Sequence, residues 1–127
     1  MLELIIKGTT YQFKFKMGFM RELSKLMRVP VDGVPGEKQE IGLSYKIGQM
    51  MDGNVAALVD VLHIANKGLE PRVTPALLDE YIDEECEDID KLFDEVFDFL
   101  EKSNATKTVM KKMLEMKAEE EAKKANQ

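Results

Sequence analysis

Apolar and polar residues alternate with a period of two through Leu2-Glu3-Leu4-Ile5-Ile6-Lys7 and again from Thr10 to Lys16, the pattern of half-buried strands. The intervening Gly8-Thr9 suits a type II′ turn with glycine first. That turn sets Ile6 opposite Tyr11, Leu4 opposite Phe13 and Leu2 opposite Phe15 on one face, with Glu3 facing Lys14 on the other. A lone hairpin is marginal in water, so its apolar face requires helices.

From Gly18 onward the period becomes helical. Phe19, Met20, Leu23, Leu26 and Met27 form one stripe, which stops before Pro30 because a residue preceding proline disfavours helical geometry. Pro30, Asp32-Gly33 and Pro35-Gly36 predict an irregular loop over 29–40. A second helix is expected from about Gln39 to Asp52, carrying Ile41, Leu43, Ile47, Met50 and Met51 and ended by Gly53. Asn54 caps a third, from Val55 to Lys67, which is apolar on nearly every side and is predicted to be the central element. Thr74 and Pro75 read as N-cap and first residue of a fourth helix reaching about Cys86. A fifth takes Ile89 to Lys102, and Ser103 or Asn104 caps a last one carrying Val109, Met110, Met113, Leu114 and Met116. After Lys117 the apolar pattern ends. The expected fold is α+β, mostly α: an N-terminal β-hairpin packed on a bundle of about five to six helices. One globular domain over 1–117 is followed by a solvated helical or frayed tail, 118–127.

A chain of 127 residues is one domain's worth and buries a core without disulfides or metal. No apolar run approaches the ~20 residues that span a bilayer, and Met1-Leu2-Glu3 lacks the basic and apolar regions of a secretory signal. Cys86 stands alone, which fits a reducing compartment. A cytoplasmic protein is expected. The net charge of −6 argues against nucleic acid as the main partner. Twelve carboxylates lie between Asp79 and Glu101 against the single cation Lys91. The apolar stripe of Leu78, Ile82, Ile89, Leu92, Phe93, Val96 and Leu100 persists through them, so the segment folds and presents a dense negative face. Residues 1–50 hold eight Lys/Arg against five acids, so the basic ends are expected to lie against the acidic middle, within the chain or in a neighbouring copy.

None of the candidate chemistry completes a catalytic or metal site. His63, the only histidine, forms a D-x-x-H pair with Asp60, short of the three or four ligands that a metal requires. Cys86 is surrounded by Glu84, Glu85, Glu87 and Asp88, which oppose thiolate formation. Gly33-Val34-Pro35-Gly36-Glu37-Lys38 superficially resembles a phosphate loop, but no Ser/Thr follows its lysine. The carboxylates of Asp79, Asp83, Glu84 and Glu87 read as a solvated face open to a protein partner. Nine methionines exceed the needs of a chain this size, and Met50, Met51, Met110, Met113 and Met116 are candidates for an adaptable partner-binding surface or for core packing.

Read whole, the order of features resembles the tail assembly chaperones of long-tailed siphophages and Gram-positive prophages. The matching residues are Leu2-Glu3-Leu4, Gly8, Tyr11-Gln12-Phe13-Lys14-Phe15, Gly18-Phe19 and Arg21-Glu22-Leu23. Further along come Gly53-Asn54-Val55, Ala57-Leu58, Pro71-Arg72, Thr74-Pro75 and Tyr81-Ile82-Asp83-Glu84. Leu92-Phe93-Asp94-Glu95-Val96 and Lys102-Ser103-Asn104-Ala105-Thr106-Lys107 complete the set, which spans roughly 2–114. The resemblance implies a non-enzymatic protein without cofactor. It implies binding of the aggregation-prone tape measure protein before the tail tube forms, and absence from the mature virion. It also implies a longer, frameshifted product that recruits tail tube subunits, with the Ala122-Lys123-Lys124 codons as the expected slip site; self-association is an expectation from the uneven charge alone. The rival reading, from charge, is an acidic phage-encoded inhibitor that mimics nucleic acid and occupies a basic host protein.

Overall fold

The computed structural model describes residues 1–125; Asn126 and Gln127, the last two of the expected tail, lie outside the described residues. Strands β1 (Leu2–Ile6) and β2 (Thr9–Phe13) pair antiparallel, followed by α1 (Met17–Ser24), β3 (Arg28–Pro30), β4 (Lys38–Glu40), α2 (Gly42–Met51), α3 (Val55–Ala65), α4 (Pro75–Glu80), α5 (Ile89–Lys102) and α6 (Lys107–Ala125). A single π-helical turn, Tyr81–Glu85, continues α4. The α+β, mostly α architecture with an N-terminal hairpin on helices is therefore present, and α3 is its centre: Ala57, Leu58, Val59, Val61, Leu62 and Ala65 are all buried.

The hairpin register differs from the expected one by two residues. Leu2 faces Phe13, Leu4 faces Tyr11 and Ile6 faces Thr9, so the turn is Lys7-Gly8 and Glu3 meets Gln12 instead of Lys14. Both turn residues are left-handed, with φ of 49° at Lys7 and 80° at Gly8, as a type I′ turn requires. A non-glycine residue in that conformation is strained. Two contacts offset the cost: the Lys7 backbone N–H donates to the Glu85 carboxylate at 3.0 Å, and its ammonium pairs with Glu80 at 2.6 Å. A slip of two keeps the parity of the pleat, so Leu2, Leu4, Ile6 and Phe13 still face the core. Phe15, beyond the strand, is buried edge-on to Phe19 with centroids 5.1 Å apart and stacked on Phe99.

The segment expected to be an irregular loop forms a second short hairpin. Arg28, Val29 and Pro30 pair with Glu40, Gln39 and Lys38, closed by the Arg28–Glu40 ion pair at 3.2 Å. This commits Gln39 to a strand, so α2 starts at Gly42, and α1 ends at Ser24, leaving Leu26 exposed. Gly42 lets α2 touch α1: a Cβ there would lie 2.0 Å from the Leu23 carbonyl oxygen. The caps at Asn54 and Thr74 form as expected, accepting from the N–H groups of Ala57 and Leu77.

The start of α6 is corrected. Ser103 does not cap forward; its hydroxyl donates to the Phe15 carbonyl and so ties the α5–α6 turn to the hairpin. Thr106 is buried and donates back to the Leu100 carbonyl at 2.7 Å, which places the first turn of α6 at Lys107. The helix then runs unbroken to Ala125, and residues 118–125 are exposed along its outer length.

Candidate interaction surface

The methionines divide by depth. Met50 and Met110 are core residues, 2% and 1% exposed, so they shape the surface from beneath and offer nothing to a partner directly. Met51 and Met113 are half-buried against them, and Met116 is 54% exposed. They meet because α2 packs on α6, and the approach is set by Gly48, whose missing Cβ would stand 3.3 Å from the Met113 methyl. Lys117 fastens the contact by donating from Nζ to the Met51 carbonyl at 2.9 Å. Met51, Met113 and Met116 line one groove between these helices.

A second groove lies on the other flank of α6, against the end of α5. Leu114, exposed, and Ala118 form its apolar base, with Glu101, Lys107, Lys111 and Glu115 around them. Beyond Met110, α6 thus carries apolar side chains on both flanks and charges between them. Sequence reasoning grouped Leu114 with the core stripe; α6 stays against α2 through Met113 and Lys117, and Leu114 falls outside that contact, 43% exposed.

The acidic candidates occupy a different region. Asp79 lies in the last turn of α4, Asp83 and Glu84 lie in the π turn, and Glu87 precedes α5; all four are exposed. The groove beside them is lined by Leu4, Tyr81, Cys86, Glu87, Asp88 and Lys91, and contains no methionine. The two sets of sequence-predicted residues therefore share no groove. What the sequence reading missed is Lys7, whose docking on Glu80 and Glu85 secures the hairpin turn to the acidic segment; its ammonium pKa is raised by the Glu80 hydrogen bond and charge. Burial raises the Tyr81 phenol, with the neighbouring Cys86 adding to it.

His63 is half-buried beside Arg72, whose guanidinium donates to the His63 carbonyl at 2.8 Å and lies 3.2 Å from ring Nε2. Burial first, and then the Arg72 charge, hold its pKa below the ordinary value, so the ring is neutral near neutral pH and accepts from Arg72. Asp60 pairs instead with Lys46 at 2.8 Å, which removes it from the expected pair with His63. Among the described residues no group of three or more His, Cys, Asp or Glu side chains is placed to hold a metal ion, and no helix is long and apolar enough to cross a membrane.

The family model for phage tail assembly chaperone proteins matches residues 3–115, from the first strand to the exposed part of α6. The chain belongs to that family. Comparisons with curated proteins and with solved structures give no match.

Proposed function

We propose that this tail assembly chaperone binds the tape measure protein, covers its apolar helical stretches and keeps it soluble until the tube assembles around it. The observation that carries the reading is α6, which exposes Leu114 on one flank and Met116 on the other. Flexible thioethers and an unpartnered apolar flank accept amphipathic helices of varied sequence. Met51 and Met113 extend that surface onto α2. The face of Asp79, Asp83, Glu84 and Glu87 keeps the loaded complex soluble through its charge. The work is association, with no catalytic step and no cofactor, in the cytoplasm of the bacterial host.

A longer product carrying a C-terminal extension would bring tail tube subunits to the coated tape measure protein. Its expected origin is ribosomal slippage at the codons for Ala122-Lys123-Lys124, with Lys111-Lys112 as the weaker position because a slip there interrupts α6. Co-expression tests the main reading. The tape measure protein from the same phage should move from the insoluble to the soluble fraction when this chain is present and co-purify with it. Equal insolubility with and without the chain refutes the proposal, and displacement of DNA from a basic host protein would favour the nucleic-acid mimic instead.

A further inference from the structure

The groove between the end of α5 and α6 carries an ordered row of charge beside its apolar base. Lys107, Lys111 and Glu115 follow one another at intervals of four along α6, Glu101 stands on α5, and Leu114 and Ala118 form the floor of a groove of about 750 Å³. All six are exposed. Among the described residues none of the four charged groups forms an ion pair. Lys111 precedes Glu115, the order in which a pair four apart on a helix is the weaker, so the row leaves its charges free for a partner. In the methionine groove, by contrast, the Lys117 ammonium is occupied by the Met51 carbonyl.

Shape and charge together define an occupant. The two helices meet across the short connection 103–106, and the trough between two packed helices is the place that a third fills in helical bundles. From Lys107 to Ala118 it runs roughly 16 Å, about three turns of a helix at 1.5 Å per residue. An extended segment would find no strand edge to pair with, because every residue lining the groove is helical. Leu114 and Ala118 take the apolar stripe of such a helix, and the residues flanking that stripe meet the charged row.

We propose that this groove takes those amphipathic helices of the tape measure protein that carry carboxylates at i and i+4 and a lysine or arginine at i+8 beside their apolar stripe. The spacing copies that of Lys107, Lys111 and Glu115, and the signs are their opposites. An entirely basic flank is repelled by the two lysines and an entirely acidic one by Glu115, so the row discriminates among apolar helices that the floor alone would hold equally. The inference rests on the reading of α6 as the tape measure surface and adds a rule for which stretches it holds.

Two synthetic helical peptides of equal length and with the same leucine stripe test it, one carrying Glu, Glu and Lys at i, i+4 and i+8, the other Lys, Lys and Glu. The wild-type chain should bind the first about fivefold or more tightly than the second in ~0.1 M salt, and most of that difference should vanish at ~1 M. A variant with the row inverted, Lys107→Glu with Lys111→Glu and Glu115→Lys, is altered only at exposed positions. It should keep its circular dichroism spectrum and reverse the preference. Equal affinity for the two peptides, binding of neither, or an inverted variant that keeps the wild-type preference overturns the proposal; if the chain still solubilises the tape measure protein, the chaperone reading stands without the charge rule. A tape measure protein left insoluble on co-expression overturns the chaperone reading, and the named occupant with it, whatever the peptides show.

Discussion

Asn66, the residue after α3, is fully buried and uses every bonding position of its amide. Nδ2 donates to the carbonyls of Gln12 at 2.9 Å and Pro71 at 3.2 Å; Oδ1 accepts from the Val73 N–H at 2.7 Å and from Arg72 at 2.8 Å. One side chain thus joins β2, the end of α3 and the entry to α4. Asn66→Ala removes all four bonds. Arg72 is exposed and can turn to water, but Val73 is buried and, among the described residues, its N–H bonds to Asn66 alone. At about 1 kcal/mol for each of the two bonds that Nδ2 donates, and about 1–3 kcal/mol for the stranded Val73 donor, the expected loss is about 3–5 kcal/mol. That is a large share of the roughly 5–15 kcal/mol typical of a domain. Urea unfolding reads it as a lower midpoint at unchanged slope. Asn66→Asp keeps the shape but directs a carboxylate at two carbonyls, so it should cost at least as much at neutral pH and recover partly on acidification, when the acid can donate. A loss below about 1 kcal/mol for Asn66→Ala would mean that the stranded groups find other partners and that the amide is not the tie described.

Gly42→Ala should destabilise by about 1–3 kcal/mol or more, since the new Cβ meets backbone at 2.0 Å, while Gly48→Ala should be nearly neutral because it meets only the flexible Met113 methyl at 3.3 Å; equal thermal midpoints for the two variants would contradict this. His63 has a depressed folded pKa, so the stability it contributes is complete above its unfolded value near 6.5 and is lost as pH falls through the folded one. The thermal midpoint should therefore decline below about pH 6.5, and His63→Gln should flatten that part of the profile; an unchanged slope would show that the ring does not carry it. Residues 118–125 are all exposed, so a chain ending at Lys117, which keeps the bond to the Met51 carbonyl, should lose less than about 1 kcal/mol in urea unfolding. A larger loss would show that the outer helix packs.

Much of this fold was legible because its signals are local. The alternation from Leu2 to Phe15, the caps Asn54 and Thr74 and the apolar character of α3 each report a structure that forms within a few residues of itself. Where the reading failed, a distant group decided. The turn moved to Lys7-Gly8 because Glu80 and Glu85, more than seventy residues away, hold Lys7 in a left-handed conformation. Likewise, Gln39 became a strand residue through pairing with Val29, and Ser103 turned to the Phe15 carbonyl instead of capping α6. Asn66 carried no pattern at all, since a buried amide between an apolar helix and a loop looks like a helix end. The proposed surface was half legible: composition flagged the methionines, but only the way α6 lies along α2 separates Met50 and Met110 inside from Met116 and Leu114 outside.

The exposed flanks of α6 are the proposed hold on the tape measure protein. Its most direct measurement is the soluble fraction of that protein when co-expressed with the wild-type chain or with a Leu114→Asp, Met116→Asp variant, whose two sites are exposed and leave the core intact. The wild-type chain should yield a soluble complex, and the variant, folded to the same helical content, should leave its partner in the pellet. A variant that solubilises the tape measure protein as well as the wild-type chain would contradict it.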